Sequence, residues 1–268
     1  MQPPVTSFEK YCKLVIEFTS WYHARPGVKR RMTIRDLLAW TSFAASVLRK
    51  TALPAAVALM HGAHMVLLDG LGLGTGQSTR ESERTRREAF EFLVSRLDAE
   101  EQDLLASCRQ EADVAFLSGA QSEPGGGLQA GPFSIEQGPL PIKPGLFALD
   151  APTSARNAMR LLRAMQVKKP ILLEGSPGVG KTSLVLAVGA ASGNHVVRIN
   201  LSEQTDLMDL LGSDLPVEGG QGAEFAWSDG ILLQVSSSPT PFLRGPLLAA
   251  LRIAVPCTGK PEHVGCRL

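Results

Sequence analysis

The sequence predicts an α/β domain, a parallel sheet with helices on its faces, preceded by a helical region. Three observations predict it. Apolar residues recur at helical spacing through 11–18, 34–48 and 90–105. Residues 118–149 turn to Gly, Pro, Ser and Gln, with Gly125, Gly126 and Gly127 in a row, the composition of a linker or extended arm. Beyond them, helix patterns at 153–166, 181–191 and 204–211 alternate with apolar strands at 171–174 and 196–200, the order that builds a parallel sheet. The expected divisions are therefore 1–117, 118–149, 150–234 and a divergent tail at 235–268.

The elements follow from local chemistry. Thr33 is a good N-cap, and Asp36 stands three residues later, where a carboxylate reaches free amides and complements the helix dipole. Leu37, Leu38, Trp40 and Thr41 then begin an amphipathic face. Residues 78–91 alternate acids and bases, which on a helix gives i,i+4 pairs on a solvated surface. The run Met65-Val-Leu-Leu-Asp69 resembles an apolar strand ending in a metal-holding acid, but the apolar period around it favours a buried helix whose Asp69 caps the next turn.

Composition excludes several classes of function. Of 268 residues, 44% are apolar, enough for a buried core. Lys and Arg number 27 against 26 for Asp and Glu, so no basic field draws the chain to nucleic acid or to a membrane surface. The first residues lack the apolar run of a signal peptide, and 53–68 is too short and too polar to span a bilayer, so the chain reads as soluble and intracellular. Four scattered cysteines fit reduced thiols. Cys257, His263 and Cys266 give three metal-ligand types, but their spacing matches no usual zinc knuckle and a fourth ligand is not evident.

The chemistry concentrates at Gly175, Ser176, Pro177, Gly178, Val179, Gly180, Lys181, Thr182 and the following Ser183. This stretch fits G-x-x-x-x-G-K-[ST] between an apolar strand and a helix, the context that makes the pattern specific. Glycines let backbone amides turn inward at a helix N-terminus and form an anion hole. Lys181 is placed to reach the β- and γ-phosphates of ATP, and Thr182 to offer its hydroxyl to Mg²⁺. The alternative is a Gly-rich turn with a surface lysine.

Downstream, Val197-Arg-Ile-Asn200-Leu-Ser-Glu-Gln-Thr-Asp206-Leu-Met-Asp209-Leu-Leu-Gly212 resembles the second strand and following helix of the AAA+ ATPases of the midasin and dynein branch. Phe225-Ala-Trp227-Ser-Asp229-Gly230-Ile-Leu-Leu233 is similar to that branch's next segment, an insert hairpin running into a helix. The resemblance implies an incomplete P-loop AAA+ core behind a helical, lid-like region of a preceding module, and a fragment or shortened form of a far longer chain. Met32-Thr-Ile-Arg35-Asp36 is similar to the start of such a lid, which implies that Arg35 senses the nucleotide of its own module; a solvated helix arginine is the other reading. For the whole protein it implies an ATPase in the nucleolus and nucleoplasm, a chaperone that remodels pre-60S ribosomal particles and releases assembly factors, working with other AAA+ modules. The family pattern then breaks. After 229–234 an apolar strand ending in Asp-Glu is expected, but the chain reads Val235-Ser-Ser-Ser-Pro239 and contains no Asp-Glu pair. That pair orders Mg²⁺ and the attacking water, so ATP binding without turnover is expected of this chain alone.

Overall fold

A computed structural model describes residues 5–26, 28, 30–51, 53–72, 78–114, 127–143, 147–167, 169–199, 205–216, 225–230, 232–233 and 265–267. Side chains are described for all of these except 5–8, 79, 107–114 and 265–267. Asn200, Cys257, His263, the side chain of Cys266 and most of the tail lie outside this set.

The N-terminal region is helical, as its periodicity predicts. It holds α1 (Val5–His23), α2 (Ile34–Lys50), α3 (Ala55–Ala63), a π-helical turn (His64–Leu68), α4 (Thr79–Ser95) and α5 (Ala99–Val114). Thr33 caps α2 in a reciprocal box, its hydroxyl accepting from the Asp36 amide while the Asp36 carboxylate accepts from the Thr33 amide at 2.7 Å. The pattern read across 90–105 divides between two helices, because Asp98 and Glu101 form a second box: the Glu101 amide donates to Asp98 at 2.9 Å and the Asp98 amide to Glu101 at 3.0 Å. Aromatic contacts tie α1 to α2 and α4. Phe18 meets Trp40 edge-on at 5.5 Å, and Trp21 stacks on Phe92 at 4.6 Å. At the tight crossing of α2 and α3, the Trp40 indole donates to the Leu59 carbonyl at 2.8 Å.

Met65–Leu68 is helical rather than extended. Its π closure is marked by the Asp69 amide donating to the His64 carbonyl at 2.9 Å. Asp69 differs from expectation in its role. Instead of capping a following turn it is buried, and it pairs with Arg163 and Arg160 of α6 (Pro152–Ala164).

Residues 118–149 are expected to form a tether, yet part of them is core. Strands β1 (Gly127–Ala130) and β2 (Phe133–Glu136) make an antiparallel hairpin turned by Gly131 at φ 56°. The physical reason is alternation: Leu128, Ala130, Phe133 and Ile135 all point inward. Phe133 lies edge-on to His61 at 4.9 Å, and Gln166 donates to the Ser134 carbonyl at 3.1 Å. The hairpin thus sits between the helical region and α6, and one continuous apolar cluster runs through both regions rather than two separate ones. Residues 138–143 continue along the end of α7 (Lys181–Ser192). Amides of Gly138, Leu140 and Lys143 donate to carbonyls of Ser192, Gly193 and Ala190, groups that a helix end otherwise leaves unpaired.

The α/β class holds, with one difference in strand direction. All three described strand pairs are antiparallel: β1 with β2, β3 (Leu172–Glu174) with β6 (Gly265–Arg267), and β4 (Gly212–Pro216) with β5 (Phe225–Asp229). A parallel partner for β3 was expected in 196–200. Residues 196–199 carry no regular structure, and the described ladder on β3 is made by the chain's C-terminal strand. β4 and β5 form the hairpin expected from the insert-like sequence, reached through the short helix α8 (Leu207–Leu211). No helix among the described residues is long and apolar enough to cross a membrane.

Candidate nucleotide-binding site

The loop joining β3 to α7 has the geometry its glycines permit. Gly178 and Gly180 adopt φ of 81° and 83°, left-handed values that a side chain would strain, and Gly180 is the residue from which α7 starts. A Cβ built on Gly178 would have no atom within 4 Å, and one on Gly180 would meet only the Phe147 ring at 3.7 Å. The loop therefore encloses open space beside a helix N-terminus, the side from which amides and dipole favour an anion.

Lys181, the first residue of α7, is only 6% exposed. Its ammonium donates to the carbonyls of Gly175 at 2.7 Å and Ser176 at 2.8 Å, which holds it across the base of the loop. Burial lowers its pKa below the usual lysine value, since desolvation penalises the charged form. A phosphate would offer that ammonium an anionic acceptor in place of two neutral carbonyls. Thr182 follows at the second position of α7 and Ser183 at the third, with Ser183 exposed. The residues present thus fit a nucleotide phosphate with Mg²⁺: glycines at positive φ, a buried ammonium, and a hydroxyl one residue on.

The helix behind the loop is held by close backbone approach. A Cβ on Gly189 would fall 2.2 Å from Val196 Cγ2, so only glycine lets 194–199 lie against α7. Arg35 is not part of this loop. It lies exposed near the start of α2 and lines a crevice of about 220 Å³ with Leu38, Ala39, Ser42, Val167 and Lys169.

Sequence reasoning missed the buried cluster around Asp69. Asp69 and Arg163 are each 3% exposed in their side chains and are hydrogen-bonded to one another. Arg160 stands 3.5 Å and His64 3.4 Å from the other carboxylate oxygen, and His61 Nδ1 lies 3.3 Å from Arg163. Burial alone would raise the Asp69 pKa, but Arg163, the His64 hydrogen bond and Arg160 outweigh it and hold it well below the usual carboxylate range. The only sequence signal was a lone acid ending an apolar run. Its partner is 94 positions away.

Comparison with known families agrees with this geometry. Residues 5–69 match the family model described as the midasin AAA+ ATPase lid domain, and residues 171–216 match that of the ATPase family associated with various cellular activities. Midasin of Dictyostelium discoideum is 42% identical over 232 residues, covering 82% of this chain and 4% of the relative. Midasin of Giardia intestinalis is 38% identical over 215 residues, covering 76% of this chain and again 4% of the relative. No solved structure matches. The chain thus spans about 4% of the length of these curated relatives. With a lid-type helical region leading into a P-loop, and with relatives of one kind across most of its length, the chain belongs to the midasin family of AAA+ ATPases.

Proposed function

We propose that the chain binds Mg²⁺-ATP through residues 175–183 and serves as a nucleotide-holding part of a midasin-like nuclear chaperone that remodels pre-60S particles and releases assembly factors. The observation that carries the binding is the buried Lys181 ammonium, aimed across a loop whose Gly178 and Gly180 stand at positive φ. The remodelling role, the nuclear location and the pre-60S partners are carried by family membership alone. Thr182 would offer its hydroxyl to Mg²⁺, which would offset phosphate charge when bound. Lys181 would pair with the terminal phosphates, and the loop amides would donate to them. Arg35 would sense nucleotide held by a preceding module.

A second reading has a specific observation behind it. The sequence contains no Asp-Glu pair, so this chain alone holds nucleotide without hydrolysing it. The test is a Mg²⁺-dependent ATP titration in parallel with phosphate release, on the native chain and on Lys181→Ala. The expected result is binding weakened by at least about tenfold in the variant, with release at background in both. Unchanged affinity in Lys181→Ala refutes the cradle. Release that disappears in the variant refutes the non-hydrolysing reading and leaves the cradle standing.

A further inference from the structure

The strand β6 reaches the phosphate-loop end of the molecule from far along the chain. It follows β3 only after α7, α8 and the β4–β5 hairpin, yet it pairs with every residue of β3: Leu172 with Arg267, Leu173 with Cys266 and Glu174 with Gly265. The position is interior. Ile171 and Leu173 are buried, and the backbone of 265–267 also runs beside α6 and the π-helical turn at 64–68. Among the described strands β3 has no other partner. The last pair, Glu174 with Gly265, stands one residue before Gly175, whose carbonyl accepts from the Lys181 ammonium. Whatever orders β3 therefore orders the entry to the loop as well.

Two features make this ladder weak. It is three residues long on each side, about half the usual length of a strand. No tight turn ties the two sides together, so each closing of the ladder costs chain entropy that three pairs barely offset. Its composition adds little, since Gly265-Cys-Arg267 holds a glycine and no β-branched or aromatic residue. A contact of this kind opens locally, before the fold around it is lost.

We propose that residues 265–267 are a releasable brace. Docked along β3, they hold the entry to residues 175–180 in order. Released, they free the β3 edge and let that loop loosen while the rest of the fold persists. The ladder is made by amides and carbonyls, so the same segment supplied as a separate peptide fills the vacated edge. The brace acts on the order of the loop and not on nucleotide, so it stands or falls apart from the function proposed above.

The test is backbone hydrogen exchange read by mass spectrometry, without nucleotide, on peptides covering 171–174 and 175–180, with 40–47 of α2 as the standard for global unfolding. The full chain is compared with a chain ending at Lys260 and with the full chain carrying Cys266→Pro and Arg267→Pro. Hydrogen-bonded and non-hydrogen-bonded pairs alternate along an antiparallel ladder, so one of the two prolines removes an amide facing β3 whichever way the ladder is phased. Thermal melting checks that each altered chain is folded. In the full chain, 171–174 should exchange faster than 40–47, which marks local release. In both altered chains, 171–174 and 175–180 should exchange at least about tenfold faster again, with 40–47 unchanged. A peptide of residues 261–268, added to the shortened chain at about 1 mM, the effective concentration of a tethered segment, should restore protection. The same peptide with both prolines should not. Exchange of 171–174 only in step with 40–47 in the full chain overturns the release. Unchanged exchange at 171–174 or 175–180 in the altered chains overturns the brace. Loss of protection at 40–47 along with them makes 265–267 part of the global fold and overturns the proposal, as does a peptide that restores nothing.

Discussion

Replacing Asp69 with Ala should cost this chain more stability than any other single exchange in its helical region. The carboxylate pairs with both Arg163 and Arg160, and Arg163 has the same 3% side-chain exposure as Asp69. Without it, the Arg163 guanidinium stays buried beside His61 and His64 and loses this carboxylate. Breaking a buried pair from one side costs about 3 to 5 kcal/mol. Arg160, 16% exposed, can turn toward water and recover little of that. A protein of this size holds about 5 to 15 kcal/mol in total, so the variant should lose about a fifth or more of its stability. At about 2 to 4 °C per kcal/mol, the midpoint should fall by about 6 to 20 °C. Urea unfolding followed by tryptophan fluorescence reads the change directly, because Trp40 lies in the same core. Exchanging both partners, as Asp69→Leu with Arg163→Met, should recover most of the loss, since an apolar pair of similar volume removes the stranded charge. A cost under about 1 kcal/mol for Asp69→Ala would refute the claim that the pair is buried and dry.

The same cluster sets a pH response. Burial, then the nearby Arg163 charge, holds His61 well below its ordinary 6.5, and burial likewise lowers His64, partly offset by its hydrogen bond to Asp69. Below about pH 6.5 the unfolded chain takes up protons that the folded chain refuses, so stability should fall as pH drops from 7 to 5, and His61→Phe should flatten that slope in urea midpoints. Gly62→Ala should cost about 1 to 3 kcal/mol in the same assay, because the new Cβ would fall 2.4 Å from Cδ1 of a Trp40 pinned by its indole hydrogen bond. Thr33→Ala should remove the α2 capping box for about 1 kcal/mol, with Thr33→Ser restoring it.

Much of this was legible in the sequence because it is local. The P-loop is one stretch of eight residues whose glycines, lysine and threonine act on each other's backbone, so 175–182 could be read without knowing the fold. Thr33 with Asp36 was legible for the same reason. The hairpin at 127–136 was not, because Gly and Pro dominate its surroundings and its inward alternation of Leu128, Ala130, Phe133 and Ile135 is only two residues long on each strand. Nor could spacing reveal that Asp69 would meet Arg163, since a salt bridge between distant segments is specified by how the helices dock and not by any periodicity. The partner of β3 was hidden similarly: residues 265–267 have no strand signature of their own, and only the ladder with 172–174 marks them.

The π turn before Asp69 carries a further consequence, one about length rather than chemistry. A hydrogen bond from residue 69 to residue 64 accommodates one residue more than an α-helical turn over the same path. Since each helical residue advances about 100° around the axis, that single additional residue decides which way Asp69 points. Were residues 64–69 to close as an ordinary α-helix with every residue kept, Asp69 would sit about 100° further round and its carboxylate would leave the line to Arg163. Taking out one residue while the turn closes as α over the same path would instead keep that direction. Across this boundary between the lid-type helices and the P-loop region, the turn absorbs one residue of length without turning Asp69 away from its partner.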